Sequence, residues 1–374
     1  MKFWMILCCI LCCALVAKTQ EASYADVDRI ALNIPSAQTN TTSGIASYIN
    51  KHFDTDSKKV RAIYTWVASN IKYDAAHLHR VILDADREQK VTYAMERKRG
   101  VCENFAAIFT DICVKCGLRA YVIEGYTKQA GFIERAGHAW SAVYINNDWY
   151  LYDPTWDAGF KDGAHSISES NTNYFQAVPS EFIDTHMPFD PMFQFLDHPV
   201  SYEQFSKGYV KNNNSNSYFN YRDSISKYEK MDSLSRYLAA ASRIEKNGNP
   251  SSLTSTKLKQ LKMETEIIYQ DKDVDLYNAA IADYKNAVGN FKTFLNYRNN
   301  RFLPSKPMNE TEAMLDNISN EITVAVNKLK EVNKSKATLT LDTGDIEKML
   351  SDLSVKVKEQ QIFLKNYPGT TKEK

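Results

Sequence analysis

The C-terminal part of the chain lacks the side chains on which most enzyme chemistry depends. No cysteine follows Cys116 and no histidine follows His198, so residues 211–374 offer neither a thiol nor an imidazole. The chain also lacks a charge excess, because 46 basic and 45 acidic residues leave a formal net charge of +1. Without an overall field of one sign, nucleic acid and acidic lipid are not predicted partners. Any catalytic chemistry is therefore expected in the N-terminal part.

Cysteine is scarce once the N-terminus is set aside. Four of the seven cysteines lie in an apolar run that follows Lys2 and ends near Ala17. One basic residue, about fifteen apolar residues and small residues at the end are typical of a secretory signal, and the run is short for a membrane span. We expect residues 1–20 to be a signal peptide and the mature chain to be secreted, periplasmic or in the cell envelope, without an integral membrane span. A lipid anchor at Cys13 is a weaker alternative, because Ile10-Leu11-Cys12 is a poor lipidation context.

The mature chain would keep three thiols, Cys102, Cys113 and Cys116. They cannot all pair within one exported chain, so at least one stays free or pairs with another chain. Cys113 and Cys116 form a CxxC pattern, which can be a redox pair or half of a zinc site. Here the pattern ends a predicted helix, where the dipole opposes a thiolate, and no second ligand pair exists. We expect both side chains to pack in the core, with a disulfide as the alternative and no metal site.

Cys102 is placed differently, at the start of a predicted amphipathic helix. Gly100 precedes it and Gly117 stands where a C-cap glycine belongs. The apolar side of this helix consists of Ala106, Ile108, Phe109, Ile112 and Cys113. A thiol at a helix N-terminus lies near unpaired N–H groups, which favour thiolate and can bind the oxyanion formed when sulfur attacks a carbonyl. A lone buried cysteine is more often a small hydrophobe, so this interpretation needs partner residues.

Two partner residues follow on a predicted hairpin. After the cysteine helix the apolar period changes to two, which predicts strands over 138–145 and 149–153 joined by Asn146-Asn147. If this is a two-residue turn, Asp153 is a diagonal neighbour of His138 on the same face, whereas a shift of one residue would separate them. An imidazole that takes the thiol proton and a carboxylate that holds the imidazole complete a thiol-catalysis set. Taken singly, a strand histidine is more often structural, and an aspartate before proline is more often a turn former.

Three short blocks resemble the transglutaminase-like superfamily. The blocks are Gly100-Val101-Cys102-Glu103, Gly137-His138-Ala139-Trp140 and Asp153-Pro154-Thr155-Trp156. Residues 63–74 are similar to the helix before the cysteine in that superfamily, and residues 182–188 resemble a tail of its bacterial, kyphoscoliosis-peptidase-like branch. The resemblance covers residues 45–205 and implies an α+β fold with a papain/transglutaminase-like core, a helix packed on an antiparallel sheet. It also implies a triad of Cys102 as nucleophile, His138 as base and later acid, and Asp153 as orienting group.

The same resemblance implies a cysteine-dependent enzyme that acts on amide bonds of proteins or peptides through a thioester. We favour hydrolysis of the protease or amidase kind, because no calcium-site pattern such as an EF-type loop is evident. The alternatives are a cross-linking transglutaminase that passes the acyl group to an amine, and a non-catalytic binding or scaffold protein of the cell envelope. No cofactor and no metal ion are predicted. The second oxyanion donor is unassigned, since Trp66 lies in an apolar helical stripe that favours core packing.

The remaining patterns divide the chain into a signal peptide (1–20), a transglutaminase-like catalytic domain (21–210) and a C-terminal helical domain (211–374). Apolar residues at helical spacing predict a helical bundle or short coiled coil, which offers a surface for a protein partner. These segments lie at about 231–244, 277–295, 315–332 and 346–357. In the catalytic part we expect a solvated connector helix or loop over 77–98, a strand over 120–126, a loop over 131–136 and an irregular segment over 171–205.

Overall fold

The computed structural model describes residues 24–77, 87–158, 174–208, 216–248 and 251–367. It divides into two compact units, one of residues 1–232 with 239–259 and the other of residues 233–238 with 260–374. The predicted signal peptide lies outside the described residues. The domain boundaries after residues 20 and 210 stay a prediction.

The first unit is rich in helix and contains a four-stranded antiparallel sheet. Residues 24–32 form α1. The other helices are α2 (Thr42–His52), α3 (Asp56–Asn70), α4 (Arg87–Arg97), α5 (Cys102–Lys115), α6 (Pro154–Asp157), α7 (Pro179–Phe182), α8 (Tyr202–Lys207) and α9 (Tyr221–Lys230). The strands are β1 (Lys72–Tyr73), β2 (Arg99–Gly100), β3 (Arg119–Gln129), β4 (Phe132–Ile145), β5 (Asp148–Tyr152) and β6 (His186–Pro188). The large sheet has the order β5-β4-β3-β6, and β1 pairs with β2 in parallel. The predicted α+β class is confirmed.

Helix α5 is the centre of this unit. It packs against α2, α3 and α4 and against strands β3 and β4. Its side chains Phe105, Ile108 and Phe109 are fully buried, and each contributes roughly 2–3 kcal/mol through the hydrophobic effect. The helix ends as predicted, because Gly117 adopts a φ of +87° that other residues rarely reach.

Two hydrogen bonds attach α5 to the sheet. The Ser141 hydroxyl on β4 donates to the carbonyl of Ala106 at 3.2 Å and accepts from the Thr110 hydroxyl at 3.0 Å. Both hydroxyls are fully buried. Since a buried hydroxyl without a partner costs roughly 1–3 kcal/mol, these contacts define how the helix lies on the sheet.

The hairpin of β4 and β5 has the predicted register. Asn146 and Asn147 adopt φ values of 52° and 65°, and Ile145 pairs with Asp148 across them. Asparagine tolerates this left-handed region, which two-residue hairpin turns require. The two-residue turn on which the position of Asp153 depends is therefore confirmed.

The predicted loop over 131–136 is wrong. Phe132 and Ile133 pair with Gln129 and Lys128, so the chain turns at Ala130-Gly131 and continues directly as β4. This end of the hairpin is largely exposed on both faces. Because neither face is buried, the sequence shows no alternation of apolar and polar residues that would mark a strand.

Two other segments differ in part from the expectation. The connector over 77–98 contains α4, which agrees with the helix alternative, but α4 is not fully solvated, because it buries Val91, Ala94 and Met95. The segment expected to be irregular contains α7 and the short strand β6, which pairs with β3. Gly125 on β3 is needed for that pairing, because a Cβ atom there would lie 2.2 Å from the Met187 carbonyl oxygen and 2.5 Å from the Trp140 ring.

The C-terminal region is helical, as predicted. Its helices are α10 (Ser233–Lys246), which contributes to both units, α11 (Ser252–Asn299), α12 (Met308–Glu331) and α13 (Gly344–Lys365). The second unit has its own apolar core, in which Phe294, Leu315, Ile318 and Leu350 are almost completely buried. Whether these helices form a coiled coil stays a prediction. Among the described residues, no helix combines the length and the apolar character that crossing a membrane requires.

Candidate active site

Cys102 is the first residue of α5, and its environment explains the glycine two residues before it. The Asn104 side chain folds back and accepts a hydrogen bond from the Val101 N–H at 3.0 Å. A Cβ atom on Gly100 would lie 2.5 Å from the Asn104 Cβ, so only glycine allows this cap. The first N–H groups of a helix have no carbonyl partner within it, and Cys102 belongs to this first turn of α5. Cys102 is 8% exposed.

Helix α4 holds the same end of α5. The Asn104 amide donates to the Lys90 carbonyl at 3.2 Å, and the Lys90 ammonium forms an ion pair with Glu103. These contacts join the two residues that follow Cys102 to a separate helix. The cysteine is therefore presented by two elements that are fixed to one another.

His138 and Asp153 meet at the far end of the β4–β5 hairpin. Nε2 of His138 lies 2.6 Å from Oδ2 of Asp153, whose side chain is completely buried. The imidazole also shares a hydrogen bond with the Cys102 side chain. Because Nε2 is engaged by the carboxylate, Nδ1 is the nitrogen left for the sulfur. The structure brings the three predicted residues together in the order thiol, imidazole and carboxylate, and their catalytic roles stay a prediction.

The charges of this group are coupled. Burial opposes protonation of His138, but the Asp153 charge and the hydrogen bonds with Asp153 and Cys102 outweigh it and raise the pKa of His138 to about 10. Burial also opposes ionisation of Asp153, yet the charge of His138 and the hydrogen bonds from His138 and His186 hold its pKa well below the ordinary value. The arrangement therefore favours an imidazolium beside a carboxylate at neutral pH.

Further contacts hold Asp153 in place. Its Oδ1 accepts from the Thr155 N–H at 2.9 Å, which caps α6, and its own N–H donates to the Tyr174 carbonyl at 2.9 Å. The Tyr64 hydroxyl lies 3.1 Å from the Asp153 carbonyl oxygen and 2.6 Å from Oδ2 of Asp157. Asp157 therefore contacts Tyr64, and burial raises the pKa of Asp157 to about 7.

His186 is a second imidazole at the site, and the sequence-based reasoning missed it. Its Nε2 lies 3.2 Å from the same Oδ2 of Asp153, and its Nδ1 lies 2.8 Å from the Thr185 hydroxyl. Its ring stacks on Phe182 at 4.0 Å and lies 4.5 Å from the Trp156 ring. The tail motif over 182–188 contains this residue, but the pairing of β6 with β3 that brings it to Asp153 is long-range and has no local signal.

His186 is expected to be neutral at physiological pH. Burial lowers its pKa to about 4 and the His138 charge acts in the same direction, although Asp153 acts in the opposite direction. A neutral imidazole that donates from Nε2 to a carboxylate has an unprotonated Nδ1, which accepts from the Thr185 hydroxyl. Both polar atoms of His186 are thus satisfied.

This burial predicts a pH-dependent difference in stability. Between pH 6.5 and 4 the unfolded chain binds a proton at residue 186 and the folded chain does not, so the wild type loses stability as the pH falls. The variant His186→Gln has no such proton. The free energy of unfolding of wild type relative to this variant should fall by about 3 kcal/mol from pH 7 to pH 4.

The measurement is urea unfolding at several pH values, with tryptophan fluorescence as the signal. All five tryptophans lie within residues 1–156, so the signal reports the first unit. Comparison with the variant removes the opposing effect of Asp157, whose raised pKa makes the fold more stable at low pH. Parallel pH dependences of the two proteins would contradict the assignment of His186 as a buried neutral imidazole.

The other candidate residues lie in the core. Trp66, Trp140 and Trp149 are at most 3% exposed, so they pack within the first unit. Cys113 and Cys116 are free and buried, as expected. Burial raises the pKa of Cys113 well above its ordinary value and that of Cys116 to about 11, so neither is an activated thiol.

One polar side chain near the thiol had no predicted role. Tyr73 lies on β1 opposite Gly100 of β2. Burial and then the charges of Cys102 and Asp153 raise its pKa to about 12, which places its hydroxyl within electrostatic range of both. The second oxyanion donor nevertheless stays unassigned.

One group of side chains has the composition of a metal site. Single atoms of His138, Asp153 and His186 lie within 4.8 Å of one another. Two ligand atoms bound to one tetrahedral zinc ion at roughly 2.0–2.2 Å lie about 3.3–3.5 Å apart, so the 2.6 Å between His138 Nε2 and Asp153 Oδ2 is too short for a shared ion. The observed geometry is that of a hydrogen-bonded group.

Comparison with known proteins agrees with the residues that form this site. Residues 43–154, which include Cys102, His138 and Asp153, match a family model described as transglutaminase-like superfamily. The chain is 31% identical over 186 residues to human kyphoscoliosis peptidase, which covers 46% of this chain and 28% of that protein. It is 26% identical over 208 residues to Drosophila melanogaster hillarin, in an alignment that covers 50% of this chain and 25% of hillarin.

A solved structure described as a TGase aligns with a TM-score of 0.27 at 19% identity, covering 43% of this chain and 42% of that one. The chain spans less than a third of the length of the two curated relatives.

Proposed function

Because residues 43–154 of this chain form a domain of the transglutaminase-like superfamily, we propose that the protein is a thiol-dependent enzyme that hydrolyses amide bonds of proteins or peptides. The observation that carries the proposal is the hydrogen-bonded series from Cys102 through His138 to Asp153. The relative with the printed name kyphoscoliosis peptidase favours hydrolysis. The narrower assignment to a bacterial kyphoscoliosis-peptidase-like branch stays a prediction.

The geometry supports a two-step reaction. His138 holds the Cys102 proton as an imidazolium, and the thiolate attacks the amide carbonyl carbon while the C=O electron pair moves to oxygen. The N–H groups in the first turn of α5 would bind this oxyanion. The intermediate then collapses, and the C–N bond breaks as the imidazolium gives its proton to the leaving amine. A thioester on Cys102 and a free amine result.

Water completes the cycle. His138 takes a proton from water, whose oxygen attacks the thioester carbonyl and forms a second oxyanion. Collapse of that intermediate breaks the C–S bond, releases the carboxylic acid and returns the sulfur to its starting state. An amine in place of water would give a new amide, so hydrolysis and cross-linking share the first step and differ in the acceptor.

The test uses isotope incorporation. The mature protein is incubated with casein and a peptide mixture in H2¹⁸O, with a dansylated primary amine present as a competing acceptor. New peptide ends that carry ¹⁸O, formed by wild type and absent with Cys102→Ala, would support hydrolysis. Dansyl incorporation without new ends would establish cross-linking instead, and neither product at any pH would overturn the enzyme proposal and favour the scaffold alternative.

We also propose that the protein is exported, on the basis of residues 1–20 alone. Expression of the full chain should give a mature N-terminus between Ala17 and Glu21, because a signal peptidase cleaves after small residues that follow the apolar run. N-terminal sequencing of the purified protein measures this. A variant with Leu7→Arg and Leu11→Arg should remain uncleaved, and an intact Met1 in the wild type would contradict export.

A further inference from the structure

His186 reaches the site through the sheet and not through its neighbours in sequence. It lies in β6, where it pairs with Thr127 of β3, and its side chain is fully buried. This pairing depends on Gly125, where a side chain would collide with the backbone of β6. The fold therefore requires glycine at position 125 of β3 so that β6 can bring the His186 imidazole against Asp153.

The imidazole is aimed at one oxygen. Oδ2 of Asp153 is 2.6 Å from Nε2 of His138 and 3.2 Å from Nε2 of His186, while Oδ1 binds the Thr155 N–H. The carboxylate thus has a partner on each oxygen and two on the oxygen that holds His138. Since a carboxylate can only accept a hydrogen bond, Nε2 of His186 carries the proton that is directed to Asp153, and Nδ1 is left to accept from the Thr185 hydroxyl.

We infer that His186 is a positioning residue that acts through Asp153, sharing the negative charge of Oδ2 and preventing rotation of the carboxylate, so that His138 is held toward Cys102. The inference rests on the proposed function and names one further residue of the same site. His186 is not a catalytic residue, because Asp153 separates it from the reacting atoms.

A packing role alone does not account for an imidazole here. The surrounding rings of Phe182, Trp156, Trp140 and Tyr174 would accept a phenyl group of the same size. Burying an imidazole in such a cage costs desolvation energy unless both nitrogens are bonded. Both are bonded, and one of the bonds ends on the residue that holds His138.

The neighbouring ionisable groups decide how the test must be controlled. The groups that face the carboxylate and the two imidazoles are Tyr64 on α3, Tyr73 on β1, Cys102 on α5, Asp157 on α6 and Tyr174. The three tyrosines have raised pKa values and stay neutral below pH 10. Asp157, with a pKa raised to about 7, is the group whose titration could be mistaken for an effect of His186.

The experiment measures the alkylation rate of Cys102 by iodoacetate against pH, with the site of labelling mapped by mass spectrometry. This anionic reagent is attracted by the imidazolium of His138, so its rate falls when His138 loses its proton. Without the His186 donor, the full charge of Oδ2 acts on His138 and retains that proton more strongly.

In His186→Phe the fall in rate should therefore move to higher pH by about one unit. The kcat of peptide hydrolysis should fall about tenfold with little change in KM. His138 would release its proton less readily, and its ring would be oriented less firmly toward Cys102. His186→Gln, whose amide can donate from the Nε2 position, should restore the wild-type profile.

The control variants are Phe182→Leu, which disturbs the same ring cluster but keeps the donor, and Asp157→Asn. In both variants the alkylation rate of Cys102 should decrease at the same pH as in the wild type. The inference is overturned if His186→Phe has the wild-type profile, or if Phe182→Leu shifts it equally.

A second measurement uses the unmodified protein. In ¹⁵N-histidine-labelled wild type, the signal that disappears in His186→Gln should show a neutral ring protonated at Nε2 from pH 5 to 9. A ring protonated at Nδ1 or at both nitrogens would reject the inference even if the phenylalanine variant does not fold. Since neither alkylation nor NMR requires a substrate, a shifted profile without peptide cleavage would refute the proposed function and leave this inference standing.

Discussion

Replacement of Cys102 by alanine is expected to lower the rate of amide hydrolysis by about four orders of magnitude or more, because the sulfur forms the thioester and no other group can replace it. The same variant should lose iodoacetamide labelling at position 102. The fold should survive, since alanine is a good helix former at the first position of α5 and the substitution removes only one buried sulfur atom.

The matched control is Cys116→Ala, which removes a thiol from the other end of the same helix. Burial raises the pKa of Cys116 to about 11, so at neutral pH it should be unlabelled in the native protein and its loss should not change activity. Labelling stoichiometry and hydrolysis rate are measured together. Full activity of Cys102→Ala would remove the thiol from the mechanism.

Asp153→Asn is the second large effect, and its cause is the tautomer of His138. In the wild type both imidazoles direct an Nε2 proton at Oδ2. An asparagine of the same shape offers one acceptor oxygen, so its NH2 group must stand either at the Oδ1 position, against the Thr155 N–H, or at the Oδ2 position, against the two rings. If it faces His138, Nε2 becomes the acceptor and the proton moves to Nδ1, where it meets the Cys102 thiol and blocks proton transfer.

We therefore expect kcat to fall by about 10³–10⁴-fold in Asp153→Asn, with a much smaller change in KM. Asp157→Asn is the matched control, because Asp157 bonds Tyr64 and is four residues away in the same short helix region. That control should keep activity within a few-fold of wild type. Comparable losses in the two variants would mean that the site needs negative charge in general and not an orienting carboxylate at residue 153.

The part of this site that could be predicted rests on short-range rules. Gly100 before Cys102, the helical spacing after it and Gly117 at its end are local signals, and the structure has the helix where they indicate. The Asn146-Asn147 turn determines the register of the hairpin, and with it the side of the sheet on which Asp153 lies. These features need no knowledge of distant residues, because backbone φ preference and side-chain periodicity act over a few residues.

The errors have equally local causes. The end of the β3–β4 hairpin is exposed on both faces, so its side chains carry no pattern and the segment resembles a loop. The connector that contains α4 is highly charged, so it was expected to be solvated, and the three buried side chains of α4 are too few to stand out. His186 was visible only as part of a tail motif, since nothing within 182–188 indicates which strand it joins.

The amino-acid order by itself determined the cysteine helix, the hairpin that carries His138 and Asp153, and the helical character of the C-terminal region. Each of these follows from turn residues and apolar spacing within about twenty residues. Only the tertiary structure decided that a third strand pairing brings His186 onto the Asp153 oxygen that holds His138. The residues in that contact are 33 positions apart, and they meet only because β6 pairs with β3. This pairing is selected by packing of the whole sheet, which no short stretch of sequence encodes.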